Sequence, residues 1–585
     1  MRHGVKWAIG LLCILVVLIC GAYRWPIRSA KIGAELSQAI SPSIGLHWRG
    51  PSKATLALLP WPTLRVIDAE LAGADGKSLL SAPIAQFSLS PTELLRGRFV
   101  PVGATLRNPT AFVDFDAAPV IAAEEGALSA GGDGEPPALW SHVRLYGGVL
   151  HVVSAAHQFD TLIESLDGSF DWPSVDKPMS FSLAGAWRDE HVTIEGRIDN
   201  PREGLERRST GVRLAIASRP LSFAMEGTWG GNPTSGFVGD VSAQFNSLRA
   251  LRRLFGAAGA PLIVGDTLSL EGKAQSNGAS LAVSDAQLDV AGQKFEGALT
   301  IAHENARTAI SGTLAADSLN MESLFGAPPT LLNARGAWSA EPFGFAPTGG
   351  LDLDLRISAT HVDWRGFRLD DAAGSLICKD GQLTASLLEA GAYQGLLKGQ
   401  LSLTQGANGL ETQITGSLAD ADIGAAVAST GWSGYRGRGG FNFSLRSTGF
   451  APADSVASLS GVVSFDLQAG VIDGVNIEEA MRRSQRRPID LSRDMANGQT
   501  TFTHARAKLV VANGAANIAE ARIEGPGSAI DIAGAIDIAA REFHTLLSAT
   551  QTDAQGAPSA DAARLTIMLD GPWSAPTVAA LAGGG

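Results

Sequence analysis

The chain has 585 residues, 68 of them glycine, with 6% aromatic residues, three cysteines and a formal net charge of -12. That length exceeds one compact core and calls for several domains or one repeat array, while the negative balance argues against nucleic acid as a partner. Cys13 and Cys20 lie in an apolar N-terminal run and Cys378 stands alone, so neither a disulfide framework nor a thiolate metal site follows from the spacing.

The first element is the charge-free stretch "WAIGLLCILVVLICGAY", Trp7–Tyr23. At about 1.5 Å per residue it is about 25 Å long, enough for a thin bilayer. Arg2 and Lys6 precede it and favour a cytoplasmic N-terminus, although Arg24 and Arg28 follow. Residues 1–24 therefore predict a cytoplasmic tip and an uncleaved transmembrane signal anchor. The alternative is a cleaved signal peptide, but no clear small-residue cleavage site follows. With no second span, the bulk of the chain is expected outside the cytoplasm.

Residues 25–117 read as a β module. "APVIAAEEGALSAGGDGEPPA" (Ala118–Ala138) is small, acidic and rich in Gly and Pro, and reads as a linker. A repeating β-strand body is expected over 139–375. Within it, "TLSLEGKAQ", "SLAVSDAQLDV" and "KFEGALTIA" follow one another as short alternating strands. "LDLDLRI" places Leu351, Leu353, Leu355 and Ile357 on one face and Asp352, Asp354 and Arg356 on the other. A second β domain is expected over 376–578, where "AIDIAGAIDI" repeats the alternation through Ile530, Ile532, Ile536 and Ile538. The residues 579–585, ending "LAGGG", predict a disordered tail. Such alternation implies antiparallel strands with one wet and one apolar face.

One short pattern recurs, with glycine between apolar residues of the same parity: Ile194-Gly196-Ile198, Phe295-Gly297-Leu299, Leu397-Gly399-Leu401 and Ile532-Gly534-Ile536. Glycine there leaves a gap in the apolar layer, which predicts bending or close approach on that side. Short helices are expected at Ser247–Gly256, with Leu248, Leu251, Leu254 and Phe255 on one face, and at Asn320–Gly326. In "VVSFDLQAGVIDGVNIEEAMRR", Val463, Phe465 and Leu467 share a strand face and Asp473-Gly474 signals a hairpin-type turn. Asn476 reads as an N-cap with Glu479 as its reciprocal partner, starting a helix at Ile477.

No catalytic constellation emerges. The histidines are scattered, and the metalloprotease, phosphate-loop and nucleophile-elbow motifs are missing from the sequence. The chain reads as a non-enzyme, with no cofactor and no metal expected. Asp352 and Asp354 read as a solvated strand face. Arg482, Arg483, Arg486 and Arg487 suit either a helix C-terminus or anionic headgroups, and Cys378 reads as a buried small hydrophobe. An apolar sheet face costs about 25 cal/mol per Å² left in water. It must be covered by another sheet, by helices or by an apolar ligand. The candidate lining residues are Leu351, Leu353, Leu355, Ile357, Phe295, Leu299, Ile532 and Ile536.

Two regions resemble the AsmA family of bacterial envelope proteins. After the apolar stretch come "AELSQAISPSIGLHWRG", "LALLPWPTLRVIDAEL", "LLSAPIAQFSLSPTELLRGRFV" and "ATLRNPTAFVDFD", similar to the family's N-terminal module. "EAGAYQGLLKGQLSL", "SGVVSFDLQAGVIDGVNI", "TTFTHARAKLVVANGAANI" and "GPWSAP" resemble its C-terminal domain. The resemblance covers about the first hundred and last two hundred residues and lies in the order of the segments more than in any one motif. It implies a mainly β fold: a transmembrane helix, then an elongated antiparallel repeating sheet curled into a hydrophobic groove, with a few short helices. It further implies a single-pass protein of the bacterial inner membrane with its body in the periplasm. Larger relatives are viewed as conducting phospholipids toward the outer membrane, and smaller ones are linked to outer-membrane assembly. The implied partners are phospholipid acyl chains, the inner membrane and outer-membrane assembly proteins. The alternative is a structural or assembly factor that binds an envelope protein without conducting lipid.

Overall fold

The computed structural model describes residues 15–16, 18–27, 47–49, 53–72, 78–96, 100–114, 141–154, 159–173, 177–205, 208–230, 236–250, 265–277, 280–304, 307–327, 330–343, 351–429, 434–484, 496–553, 557–558 and 563–581. The expected linker at 118–138 and most of the Trp7–Tyr23 stretch lie outside these residues. Among the described residues no helix is long and apolar enough to cross a membrane. Of the helix expected at Ser247–Gly256 only 247–250 are described, and of these 248–250 are helical.

The protein is mainly β. Its described strands belong to one hydrogen-bonded sheet of 31 strands, in which most strands pair antiparallel with the next strand in sequence. The expectation of purely antiparallel pairing needs correction at two places. Arg307–Asn320 pairs parallel with Leu351–Trp364, and Val143–Ser154 pairs parallel with Pro101–Arg107 and Thr110–Asp114. In both, a long intervening segment carries the chain back to the end of the strand at which it started, which a tight hairpin cannot do. The alternating segments are also longer than expected, up to the 17 residues of Ala496–Ala512.

The chain divides into two compact units, Met1–Ala257 with Asp266–Leu288 and Ala302–Ala306, and Ala258–Gly265 with Asp289–Ile301 and Arg307–Gly585. In the first, Thr63–Ala72 pairs with Ser78–Leu89, setting Leu64 opposite Phe87 and Val66 opposite Ala85. Leu64, Val66, Ala85 and Leu89 are fully buried, and Leu94 from the short helix Pro91–Leu95 packs over the cluster. A second cluster gathers Phe237, Val241, Ala274, Val283 and Ala286 from the strands Phe237–Phe245, Leu268–Ser276 and Ser280–Val290.

From Arg307–Asn320 onward the second unit continues through long, mostly antiparallel strands to Thr577–Leu581. That last strand takes in residues 579–581, so the C-terminal segment is ordered further than its small residues suggest; its backbone pairs with Arg564–Pro572. The Asp473-Gly474 turn is also corrected. Both residues lie inside the strand Ser460–Val475, and the register slips between Asp473 and Val475. The Arg436 guanidinium grips the Asp473 carboxylate at 2.8 and 3.1 Å from the neighbouring strand, and Gly474, at φ +90, absorbs the bulge.

Glycines on the apolar parity find two uses, one at Gly416, outside the four predicted positions, and one at Gly534, within them. Gly416 stands opposite Phe443, whose ring lies 2.6 Å from where a Cβ would be, so the aromatic ring fills the gap in the layer. Gly534 has φ +120 and a carbonyl oxygen, that of His544, 2.2 Å from a would-be Cβ, so only glycine fits there.

Candidate functional site

The site is assembled from strand register. Across the second unit, directly opposed residues run Gly312, Leu355, Leu376, Ala385, Leu401, Ile414, Leu445, Gly461, Val511, Ala516, Ile536 and Phe543. Every member is apolar or glycine. A neighbouring row runs Leu314, Ile357, Gly374, Leu387, Gly399, Gly416, Phe443, Val463 and Leu509. Leu353 faces Ile310 and Cys378 in a third row. Because side chains alternate, the opposite face carries Ser311, Asp354, Ile377, Thr384, Ser402, Gln413 and Arg446 in register. The unit thus presents one apolar face continuous from strand to strand.

That face is only partly shielded from water. Leu351, Leu353, Leu355, Ile357, Leu401 and Leu445 are half-buried, while Ile414 and Phe465 are 37% and 39% exposed. The predicted candidates do not all share this environment. Ile532 and Ile536 are half-buried on the same face, whereas Phe295 and Leu299 are 5% and 6% exposed and belong to packed surroundings. Leu299 Cδ2 lies 2.9 Å from a would-be Cβ on Gly312. Cys378 is buried.

Helices cover the face at one end of the strands. Ile423–Ala428 is started by Asp422, whose carboxylate accepts from the Ala425 amide at 3.0 Å. Ile423 joins Leu418, Tyr435, Phe502 and Ala505, with Val427 and Phe441 packed alongside. Burial, then the nearby Asp422, pushes the Tyr435 phenol up. The sequence reading missed this helix, although an Asp before a short apolar run is its signal.

The second covering helix is Ile477–Ser484. The Asn476 side-chain oxygen accepts from the Glu479 amide at 2.8 Å, and the Thr500 hydroxyl accepts from the Ile477 amide at 3.2 Å. The reciprocal half of the predicted cap is corrected: the Glu479 carboxylate turns along the helix to Arg482 and Arg483, the latter at 2.6 Å, rather than back to the Asn476 amide, as spacings of three and four residues allow. On the inner side, Ile477, Ala480 and Met481 pack on Ile530, Ala549, Leu565 and Ile567, with Ile532 and Leu547 alongside. Arg486 and Arg487 of the basic cluster lie outside the described residues.

The opposite face is ionic. Arg307 Nε donates to Asp352 at 3.1 Å, and this bond raises the guanidinium further above its usual range. In the second unit a concavity of about 650 Å³ is lined by Lys294, Glu296, Asp317 and Asp371; in the first unit a separate one of about 500 Å³ is lined by Arg213, Glu226, Asp240 and Lys273. Among the described residues no group of three or more His, Cys, Asp and Glu side chains is placed to hold a metal ion.

A family model described as the AsmA family matches residues 175–521. No curated protein matches the chain.

Proposed function

The chain belongs to the AsmA family, and on that premise we propose that it binds phospholipid acyl chains along the apolar face of the second unit and carries them toward the outer membrane, supporting its assembly. Family membership fits an envelope- or lipid-related role; lipid transfer is our own further step. The observation that supports it is the unbroken apolar row from Gly312 to Phe543, held half-exposed through the mid-strands. An acyl chain lying across such rows removes that surface from water at about 25 cal/mol per Å². The anchor expected at Trp7–Tyr23 tethers the protein to the inner membrane, with the body in the periplasm.

A photo-crosslinking residue at Leu355 tests the reading against one at Asp354. The first is expected to capture phospholipid in cells and the second to capture none. Equal labelling, or no lipid at either position, overturns it. A second reading, an assembly factor that binds an envelope protein without conducting lipid, draws on the ionic concavity around Arg213 and Lys273. It is favoured if lipid-free protein still crosslinks one envelope protein through that face.

A further inference from the structure

The N-terminal strands carry exposed apolar side chains that their own core does not use, and these collect at one place. The described helical residues 18–22 end beside Tyr23, whose amide donates to the Ile19 carbonyl at 2.9 Å. The turn between the strands Lys53–Ala57 and Thr63–Ala72 is tied to that helix end, because the Leu58 and Leu59 amides both donate to the Gly21 carbonyl, at 2.9 and 2.8 Å. The approach is close: a Cβ on Gly21 would stand 2.2 Å from Leu59 Cδ1. The Trp25 indole donates to the Cys20 carbonyl at 3.0 Å, and Tyr23 meets the Trp25 ring edge-on at 5.3 Å. The Leu89 amide donates to the Pro62 carbonyl at 2.9 Å, which brings the helix Pro91–Leu95 to the same edge.

Exposed at this edge are Tyr23, Trp25, Leu58, Trp61 at 53% and Leu95 at 90%. Single exposed apolar residues need no explanation. Here several converge where a charge-free apolar run ends, and all three rings, Tyr23, Trp25 and Trp61, carry a polar group. Tyr and Trp with that character favour the headgroup level of a bilayer.

We propose that this edge, with Trp61 at the tip of the Leu58–Pro62 turn and Leu95 at the end of its helix, is seated in the headgroup layer of the bilayer that the chain's own N-terminal apolar stretch enters. The seat fixes how the first β module stands on the membrane, which one flexible tether would not do. The proposal rests on the anchor reading, and the experiment separates the two.

The full chain, with Cys13, Cys20 and Cys378 changed to Ala, receives a single cysteine by Leu15→Cys, Trp61→Cys, Leu95→Cys or, as a polar-face reference, Ser444→Cys. Each is spin-labelled and reconstituted into vesicles of phosphatidylethanolamine and phosphatidylglycerol. Collision with oxygen is compared with collision with a water-soluble nickel chelate. Labels at 61 and 95 are expected to gain oxygen and lose chelate access relative to 444, and the label at 15 to do so further. If 15 is in the bilayer while 61 and 95 match 444, the proposal falls and the anchor stands. If 15 also matches 444, the anchor reading falls and takes the proposal with it.

Discussion

The N-terminal strand pair and the mid-strand face of the second unit use the same alternation and reach different ends. Around Leu64, Val66, Phe87 and Leu89 the apolar side chains are all but sealed from water. Around Leu355, Leu401, Ile414 and Leu445 the same residue types stay half-wet. Leucine on one parity of a strand therefore says which side is apolar and nothing about what covers it. The covering comes from elsewhere in the chain: Leu94 over the first cluster, and Ile423 and Met481 over one end of the second.

The largest expected effect breaks the comparison directly. Leu64→Ala should destabilise its region by about 3 kcal/mol, since a sealed site loses both transfer energy and packing. Leu355→Ala should lose only about 1 kcal/mol, because much of that surface already meets water. Hydrogen exchange of peptides around each site reads the two regions separately. Equal losses would mean that the second face is covered as tightly as the first.

The glycine positions sharpen the same contrast. Gly534→Ala forces a side chain into φ +120 and against the His544 carbonyl, at a cost of about 2 kcal/mol. Gly416→Ala meets the far edge of the Phe443 ring, with the Lys398 carbonyl no closer than 3.4 Å; the ring can swing away over a half-open face, so the cost should be about 1 kcal/mol. Thermal unfolding of the two variants should rank them in that order, and the reverse ranking would mean that Phe443 is locked by a cover.

The helix Ile477–Ser484 supplies an intermediate case. Ala480 is fully buried under it, so Ala480→Glu should lift the helix and expose Ile530 and Ile567. Binding of an apolar fluorescent dye should rise, and the amides of 477–484 should exchange faster while those around Leu64 do not change. Unchanged dye binding would mean that the helix hides no usable apolar surface.

These contrasts mark how far the sequence could be read. Strand identity and facing were legible, because period-two alternation such as Leu351, Leu353, Leu355 and Ile357 is a local property. So was the cap at Asn476, where one amide finds one side-chain oxygen three residues away. Register was not legible: nothing near Leu355 specifies that it meets Leu376, and the apolar row exists only once every pairing is known. The parallel pairing of Arg307–Asn320 with Leu351–Trp364 was hidden for the same reason, being decided by where a long connection returns. Asp473-Gly474 misled because a turn dipeptide also serves a bulge when an arginine on the next strand holds the aspartate. Phe295 and Leu299 carry the same alternation as Leu355 but are buried, which parity alone does not reveal.

The smallest expected effect lies on the ionic face, where the contrast with the apolar rows is a matter of charge. His544 Nδ1 stands 2.8 Å from Asp570 on the paired strand, with Glu542 at 3.5 Å from its other nitrogen. The hydrogen bond to Asp570 raises the imidazole above its ordinary 6.5, and the charges of Asp570, Glu542 and Asp537 add to it. A histidine whose folded value is raised lends its stabilisation fully below the unfolded value, and that stabilisation fades as pH rises through the folded one. Asp570→Asn should therefore lower the His544 titration midpoint while leaving it somewhat raised by Glu542, as read by NMR of ring-labelled histidine. The variant's stability deficit should be present at pH 5.5 and shrink toward pH 8. A midpoint unmoved by Asp570→Asn would assign the shift to Glu542 on the histidine's own strand, and the cross-strand ionic row would then contribute nothing at this position to holding Glu542–Gln551 against Arg564–Pro572.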